Sequence, residues 1–263
     1  MNIILNGPGR SGTTLLSQLI SYHQDLAWIS GWVNRYPKFP ELAFFNFMYR
    51  MKIMNLDVSK INKMPKPAEA YGFWKYYVKN FNSDHQPAPD EITRLKQAME
   101  RLINIQNKNH FITKITGDLR KNIFDQIFSD YQVVWIERDP RVVVSSYIKQ
   151  RWFYKDRTND FEKLTMEKKI RFYAEYYLSL FEQSKTIEKK IVFYEDLCKN
   201  PVTFFENLLG SLNLNFSEHH KSRIKNEKIK IVDWSNYEVN YTQHQKNLLS
   251  QLLEEPLEHY KYS

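Results

Sequence analysis

Ile3-Ile4-Leu5-Asn6-Gly7-Pro8-Gly9-Arg10-Ser11-Gly12-Thr13-Thr14-Leu15-Leu16 runs from an apolar triplet through a glycine cluster into helical spacing. The triplet reads as a short buried parallel strand. Leu15, Leu16, Leu19 and Ile20 recur at helical spacing, and Thr13 or Thr14 starts that helix. The chain has seven glycines, and three of them (Gly7, Gly9, Gly12) fall in this loop, which marks a close approach of backbone to something else. The string has the frame of a phosphate-binding loop, G-x-x-x-x-G-K-[ST], in which backbone N–H groups and a helix N-terminus hold an anion.

Outward from this loop, three more buried strands are expected at Phe111 to Ile115, Gln132 to Glu137 and Ile191 to Tyr194. Helical patterns separate or follow them at Ile123 to Phe128, Val142 to Trp152, Met166 to Ser184 and Val202 to Leu212. This alternation predicts a three-layer α/β fold, a central parallel sheet flanked by helices. Residues 40–107 read as a mostly helical insertion over the sheet, and Thr242 to Tyr260 as a last helix broken near Pro256. With 263 residues and no linker or repeat, the expectation is one domain, 1–263. The apolar fraction of 42% excludes a disordered chain, and no apolar run approaches the ~20 residues of a membrane span. Cys198 is alone, so no intramolecular disulfide forms, and no Cys/His spacing suits zinc. The net charge of +8 favours anionic partners, but the densest basic stretch, Lys221 to Lys230, is interrupted and reads as a solvated helix face rather than a nucleic-acid site.

The loop departs from an ATPase or kinase at one decisive position. Thr13 stands where the phosphate-binding lysine belongs, and the cation is Arg10, inside the loop. No persuasive metal-holding aspartate ends an apolar strand. A second anchor lies at Glu137-Arg138-Asp139-Pro140, which puts Arg138 just beyond a strand's carboxyl end, where open α/β sheets bind ligands. Ser146, two turns along the next helix, can face the same crevice. A guanidinium fork with a hydroxyl donor makes a phosphate clamp.

Together these strings resemble the sulfotransferase family that uses 3′-phosphoadenosine 5′-phosphosulfate (PAPS), and most closely its bacterial and tyrosylprotein-type members. The resemblance spans roughly the whole chain. It implies that Gly9, Arg10, Ser11, Gly12, Thr13 and Thr14 hold the 5′-phosphosulfate, Arg10 in the slot that many members fill with lysine. It implies that Arg138 and Ser146 hold the 3′-phosphate, and that Tyr194, opening Tyr194-Glu195-Asp196-Leu197, lies beside the nucleotide. PAPS is then the co-substrate, no metal is expected, and Arg10 stabilises charge on the leaving phosphate. Lys114 falls on a family lysine and joins Arg10 as a catalytic candidate.

The family's general bases are missing. The histidine slot after Lys114 holds Thr116, and counting about twenty residues beyond the loop reaches Ser30 and Gly31. The substitutes are Glu69, in an aromatic-rich segment, and Asp118, after the second core strand; Glu69 is favoured. His110 lies at the wrong end of that strand. Trp28, Trp32, Arg35 and Tyr36 form an aromatic-basic cluster that could stack on a sugar or phenol, although such clusters more often fill cores. Arg151-Trp152 could flank nucleotide or acceptor, and His219 and His220 read as surface residues. The expected protein is a cytoplasmic sulfotransferase acting by in-line displacement on a small-molecule or glycan acceptor. A nucleotide kinase with an altered loop and a catalytically silent nucleotide- or glycan-binding module remain as alternatives.

Overall fold

The computed structural model describes residues 1–51, 64–150 and 158–262. Among these residues β1 (Asn2–Asn6), β2 (Leu26–Trp28), β3 (His110–Lys114), β4 (Tyr131–Glu137) and β5 (Lys190–Phe193) pair in one parallel sheet, in the order β2-β3-β1-β4-β5. Helix α1 (Thr13–Ile20) follows β1. Helices α2 (Gly31–Arg35), α3 (Phe47–Met51), α4 (Tyr71–Tyr77) and α5 (Pro89–Gln106) lie between β2 and β3, with a 3-10 helix at Pro40–Asn46. After β3 comes α6 (Lys121–Ile127), and after β4 come α7 (Pro140–Gln150), α8 (Thr158–Glu162) and α9 (Met166–Lys185). Six helices follow β5: α10 (Tyr194–Lys199), α11 (Pro201–Ser211), α12 (Glu218–Lys225), α13 (Ser235–Glu238), α14 (Gln243–Leu252) and α15 (Glu254–His259).

The two-residue period of the strands builds the layers. Ile3, Leu5, Leu26, Ile112, Val134 and Ile136 face one way, against α1, α11 and α12. Ile4, Ala27, Phe111 and Val133 face the other, against α4, α5 and α6. A further cluster joins α7, α9, α14 and α15. Because all strands run in parallel, the loops after β1, β3, β4 and β5 open at one end of the sheet. No helix among the described residues is long and apolar enough to cross a membrane.

Several sequence expectations need correction. The strand β2 was not foreseen. Ile191, expected in a buried strand, lies on the sheet edge and is 39% exposed. In the insertion, residues 64–70 are not helical: Ala68 N–H bonds Ile29 O at 2.9 Å, and Ser30 bridges Pro67. The last helix breaks at Leu253; Pro256 sits in the first turn of α15, where its missing N–H costs no helical bond. Trp28 is core, with the Arg50 guanidinium 4.4 Å from its ring centre, whereas Tyr36 is exposed, so no Trp28–Tyr36 stacking surface exists. Arg151 and Trp152 lie outside the described residues. His219 is exposed, but His220 is fully buried among Phe205, Phe216 and His23.

Two buried titratable groups give the core opposite pH dependences. Burial pushes the His220 imidazole down to about 4; its Nε2–H bonds Leu19 O at 2.9 Å, and its Nδ1 has no hydrogen-bond partner among the described residues. Between about 4 and 6.5 the unfolded chain binds the extra proton. The stability from His220 is therefore present above pH 6.5 and is lost, by ~3 kcal/mol, as pH falls to 4. Burial pushes the Glu137 carboxyl up to about 7, although the Trp135 indole and the Tyr177 hydroxyl (3.3 Å) donate to it. Here the folded chain holds the proton, so stability is present below pH 4.5 and is lost, by a similar ~3 kcal/mol, as pH rises through 7. The slopes offset in the intact protein. Urea unfolding of Glu137→Gln should show stability rising from pH 4 to 6.5, and that of His220→Asn should show it falling from pH 4.5 to 7. Flat profiles in both variants would refute these protonation states.

Candidate active site

The loop after β1 is bent into shape by its own contacts. Ser11 N–H and Ser11 Oγ both donate to Pro8 O, at 3.2 and 2.7 Å, so the buried Ser11 side chain closes the turn from within. Gly12 has φ +99°, and a methyl group there would stand 2.4 Å from the Tyr194 ring. Glycine is required on both counts, backbone hand and space. The loop thus rests on the tyrosine that opens α10, and Thr13 begins α1. Gly9 backbone lies against Tyr147 of α7.

Arg10, at the loop apex with φ 71°, reaches across to α7 and donates from Nε to Ser146 Oγ at 2.9 Å. Arg138, just past β4, is buried; its Nη1 donates to Arg10 O at 3.0 Å, and its guanidinium lies 4.1 Å from the Tyr194 ring centre. Arg10, Ser146, Arg138 and Tyr194, four residues picked out from sequence, therefore meet at one point. Burial pushes the Tyr194 phenol up to about 12, against the pull of Arg138. The turn is braced by carboxylates: Asp139 N–H donates to Glu195 Oε1 at 3.1 Å, and Asp139 pairs with Arg141 at 2.8 Å.

On the β3 side, Lys114 Nζ donates to Thr14 Oγ1 at 2.9 Å and stands 3.7 Å from Glu69 Oε2. Burial lowers the Lys114 pKa, and Glu69 opposes that shift. Glu69 Oε1 accepts from Thr116 N–H at 2.9 Å and from the Thr116 hydroxyl. The carboxylate is thus held beside Lys114 at the end of β3, and Lys114 in turn reaches Thr14 in the first turn of α1. Asp118 takes a different position: its Oδ2 accepts from Ser83 at 3.4 Å, with no contact to Lys114 among the described interactions. His110 lies at the opposite end of β3, where its Nδ1 is 3.3 Å from the Met1 amino group.

One element of the site was missed from sequence. The segment between α12 and α13 crosses Arg138 and Tyr194: Arg138 Nη2 donates to Val232 O, and Tyr194 OH donates to Lys230 O at 3.3 Å. It brings the exposed Lys228 and Lys230 with it. These lysines belong to the stretch read as a solvated helix face, but α12 ends at Lys225. Chemically, the crevice sets Arg10, Arg138 and Lys114 around the glycine loop with the Glu69 carboxylate beside Lys114, which suits an anion with two separated charged ends and a partner that must lose a proton.

The model described as "Sulfotransferase family" matches residues 2–218 of the chain. A search of curated proteins found no significant match. Among solved structures, the sulfotransferase STF9 from Mycobacterium avium is 14% identical with a TM-score of 0.58, over 98% of this chain and 76% of that one. STF1 from Mycobacterium tuberculosis H37Rv is 13% identical with a TM-score of 0.54, over 95% and 76%. The mouse sulfotransferase SULT7A1, complexed with PAP, is 13% identical with a TM-score of 0.54, over 100% and 89%. At these identities the likeness is one of fold.

Proposed function

Since the chain belongs to the sulfotransferase family, we propose that it moves a sulfuryl group from PAPS to a hydroxyl or amine acceptor by direct in-line displacement. The observation that carries this reading is the meeting of Arg10, Ser146, Arg138 and Tyr194 beside the glycine loop. The residues fit such a nucleotide. Arg138 Nε is buried and has no hydrogen-bond partner among the described residues. The PAP held by the mouse structure supports the same donor.

In this reading the loop from Gly9 to Thr14 holds the 5′ end, with its backbone donors and the α1 N-terminus facing the charge. Ser11 acts from inside, by fixing the turn. Arg138 and Ser146 hold the 3′-phosphate, and Tyr194 supports both the loop and Arg138. A sulfuryl group carries less charge than a phosphoryl group, so Arg10 and Lys114 supply the neutralisation and no metal is needed. Glu69 accepts the acceptor's proton, and Thr116 aims its carboxylate.

Calorimetry of 3′-phosphoadenosine 5′-phosphate against ADP, each with EDTA and with magnesium, tests the assignment. The expected result is a metal-independent preference for the 3′-phosphorylated nucleotide of at least about 100-fold, the scale of a buried, charge-assisted phosphate contact. Tighter ADP or ATP binding that needs magnesium would transfer the chain to the kinase reading.

A further inference from the structure

Six large apolar side chains between residues 36 and 51 are exposed: Tyr36, Phe39, Phe44, Phe45, Phe47 and Met51. They make up half of the twelve exposed large apolar residues among those described and fall within sixteen consecutive positions, with the Phe44, Phe45 and Phe47 rings in contact at their centre. The backbone explains why they face outward. In the 3-10 helix Pro40–Asn46 side chains repeat every three residues, and Pro40, Ala43 and Asn46 take the buried stripe. Phe44 and Phe47 therefore share the outward stripe with Glu41, and Phe45 flanks it. The presentation is firm: Asn46 Nδ2 donates to Trp28 O and Gln106 Oε1, both at 2.9 Å. The Phe44 ring packs edge-on to Phe45 and Phe47, with centres 5.6 and 5.5 Å apart, and Phe44 still exposes 52% of its surface.

We propose that this strap is a membrane-docking surface that seats its phenylalanines at the boundary of an anionic bilayer. Charge selects the occupant. Arg35 and Lys38 are exposed at the margin, with the Arg35 guanidinium 5.6 Å from the Tyr36 ring centre, an apolar body under a cationic head. Glu41, the one carboxylate within residues 35–51, is matched by Arg101 at 3.3 Å. The surface is thus aromatic with a positive fringe, the pairing that binds acidic headgroups. A second copy of the chain fits less well, because a two-fold contact brings Arg35 and Lys38 against their own counterparts.

Sedimentation with vesicles of phosphatidylcholine containing roughly one third phosphatidylserine tests the proposal on the full chain. The protein should co-sediment, less so in high salt and less on pure phosphatidylcholine. A Phe44→Ser, Phe45→Ser, Phe47→Ser variant should bind at least about tenfold more weakly. Its thermal unfolding, set beside the parent's, checks the fold. Arg35→Gln with Lys38→Gln keeps every apolar group and should lose the preference for the anionic vesicles. Failure of the parent to bind either vesicle overturns the proposal. So does a triple variant that binds like the parent, or a parent dimer in sedimentation equilibrium that the triple variant abolishes, which would give the face to a second copy.

Discussion

Arg138→Ala should weaken binding of 3′-phosphoadenosine 5′-phosphate by about 10²–10³-fold while changing ADP binding by less than about fivefold. The first figure is the scale for removing a buried cation from a charge-assisted contact. Arg138 is nearly inaccessible to solvent, so its attraction to a phosphate is little screened by water. Within the protein it ties Arg10 O to Val232 O across the crevice. The substitution therefore also loosens the loop, and ADP reports that general loss because it uses the loop without a 3′-phosphate. Ser146→Ala separates the two effects further. It leaves the guanidinium in place and removes one hydroxyl, with an expected loss of about fivefold to 20-fold for the 3′-phosphorylated nucleotide alone. Equal losses for both nucleotides in both variants would remove the 3′-phosphate from this position.

The parts of the site that were legible in sequence are those held by local chain geometry. Gly7 to Thr14 carry their own instructions, since positive φ at Gly12 and the helix start at Thr13 follow within the same string. Arg138 and Ser146 share one strand-turn-helix unit, so their common orientation follows from the helical period. Four strands were recognisable because each is an apolar run between polar turns. The short β2, Leu26-Ala27-Trp28, fell below that signal and is made a strand by pairing with β3.

What stayed hidden depends on distant contacts. Val232 meets Arg138 over a separation of 94 residues, and nothing in the alternating Lys and Ile of 228–231 marks that segment as part of a site. His220 read as a surface residue because it has no convergent partners in the sequence around it. Its burial with Ile224, four residues on, shows a narrow apolar stripe that one histidine and one isoleucine are too few to announce. The cluster of Trp28, Trp32, Arg35 and Tyr36 divides for the same reason: pairing of β2 with β3 buries Trp28, while Tyr36 falls beyond α2 and is exposed.

Glu69→Gln should lower kcat by about 10²–10⁴-fold, the range for losing a general base, with nucleotide affinity nearly unchanged. Position supports Glu69 over Asp118. Its carboxylate reaches the crevice because the extended segment 64–70 hydrogen-bonds to the chain just after β2, which carries Glu69 to the end of β3. There it faces Lys114, and Lys114 in turn holds Thr14 of the loop, so the proton acceptor and the anion-binding loop share one lysine. Glutamine keeps the bonds that Thr116 makes to a side-chain oxygen and removes only the charge, so a fall in kcat with intact binding points to proton transfer rather than to collapse of the loop. Lys114 then loses the neighbour that raises its pKa, and burial alone acts on it. Glu69→Asp, which pulls the carboxylate back by one methylene, should recover part of the rate. Asp118→Asn, changing a carboxylate bonded to Ser83, should stay within a few-fold of the parent. If Asp118→Asn instead carries the large loss and Glu69→Gln turns over normally, the base lies at the other carboxylate and Glu69 serves only to hold Lys114 and Thr116 in place.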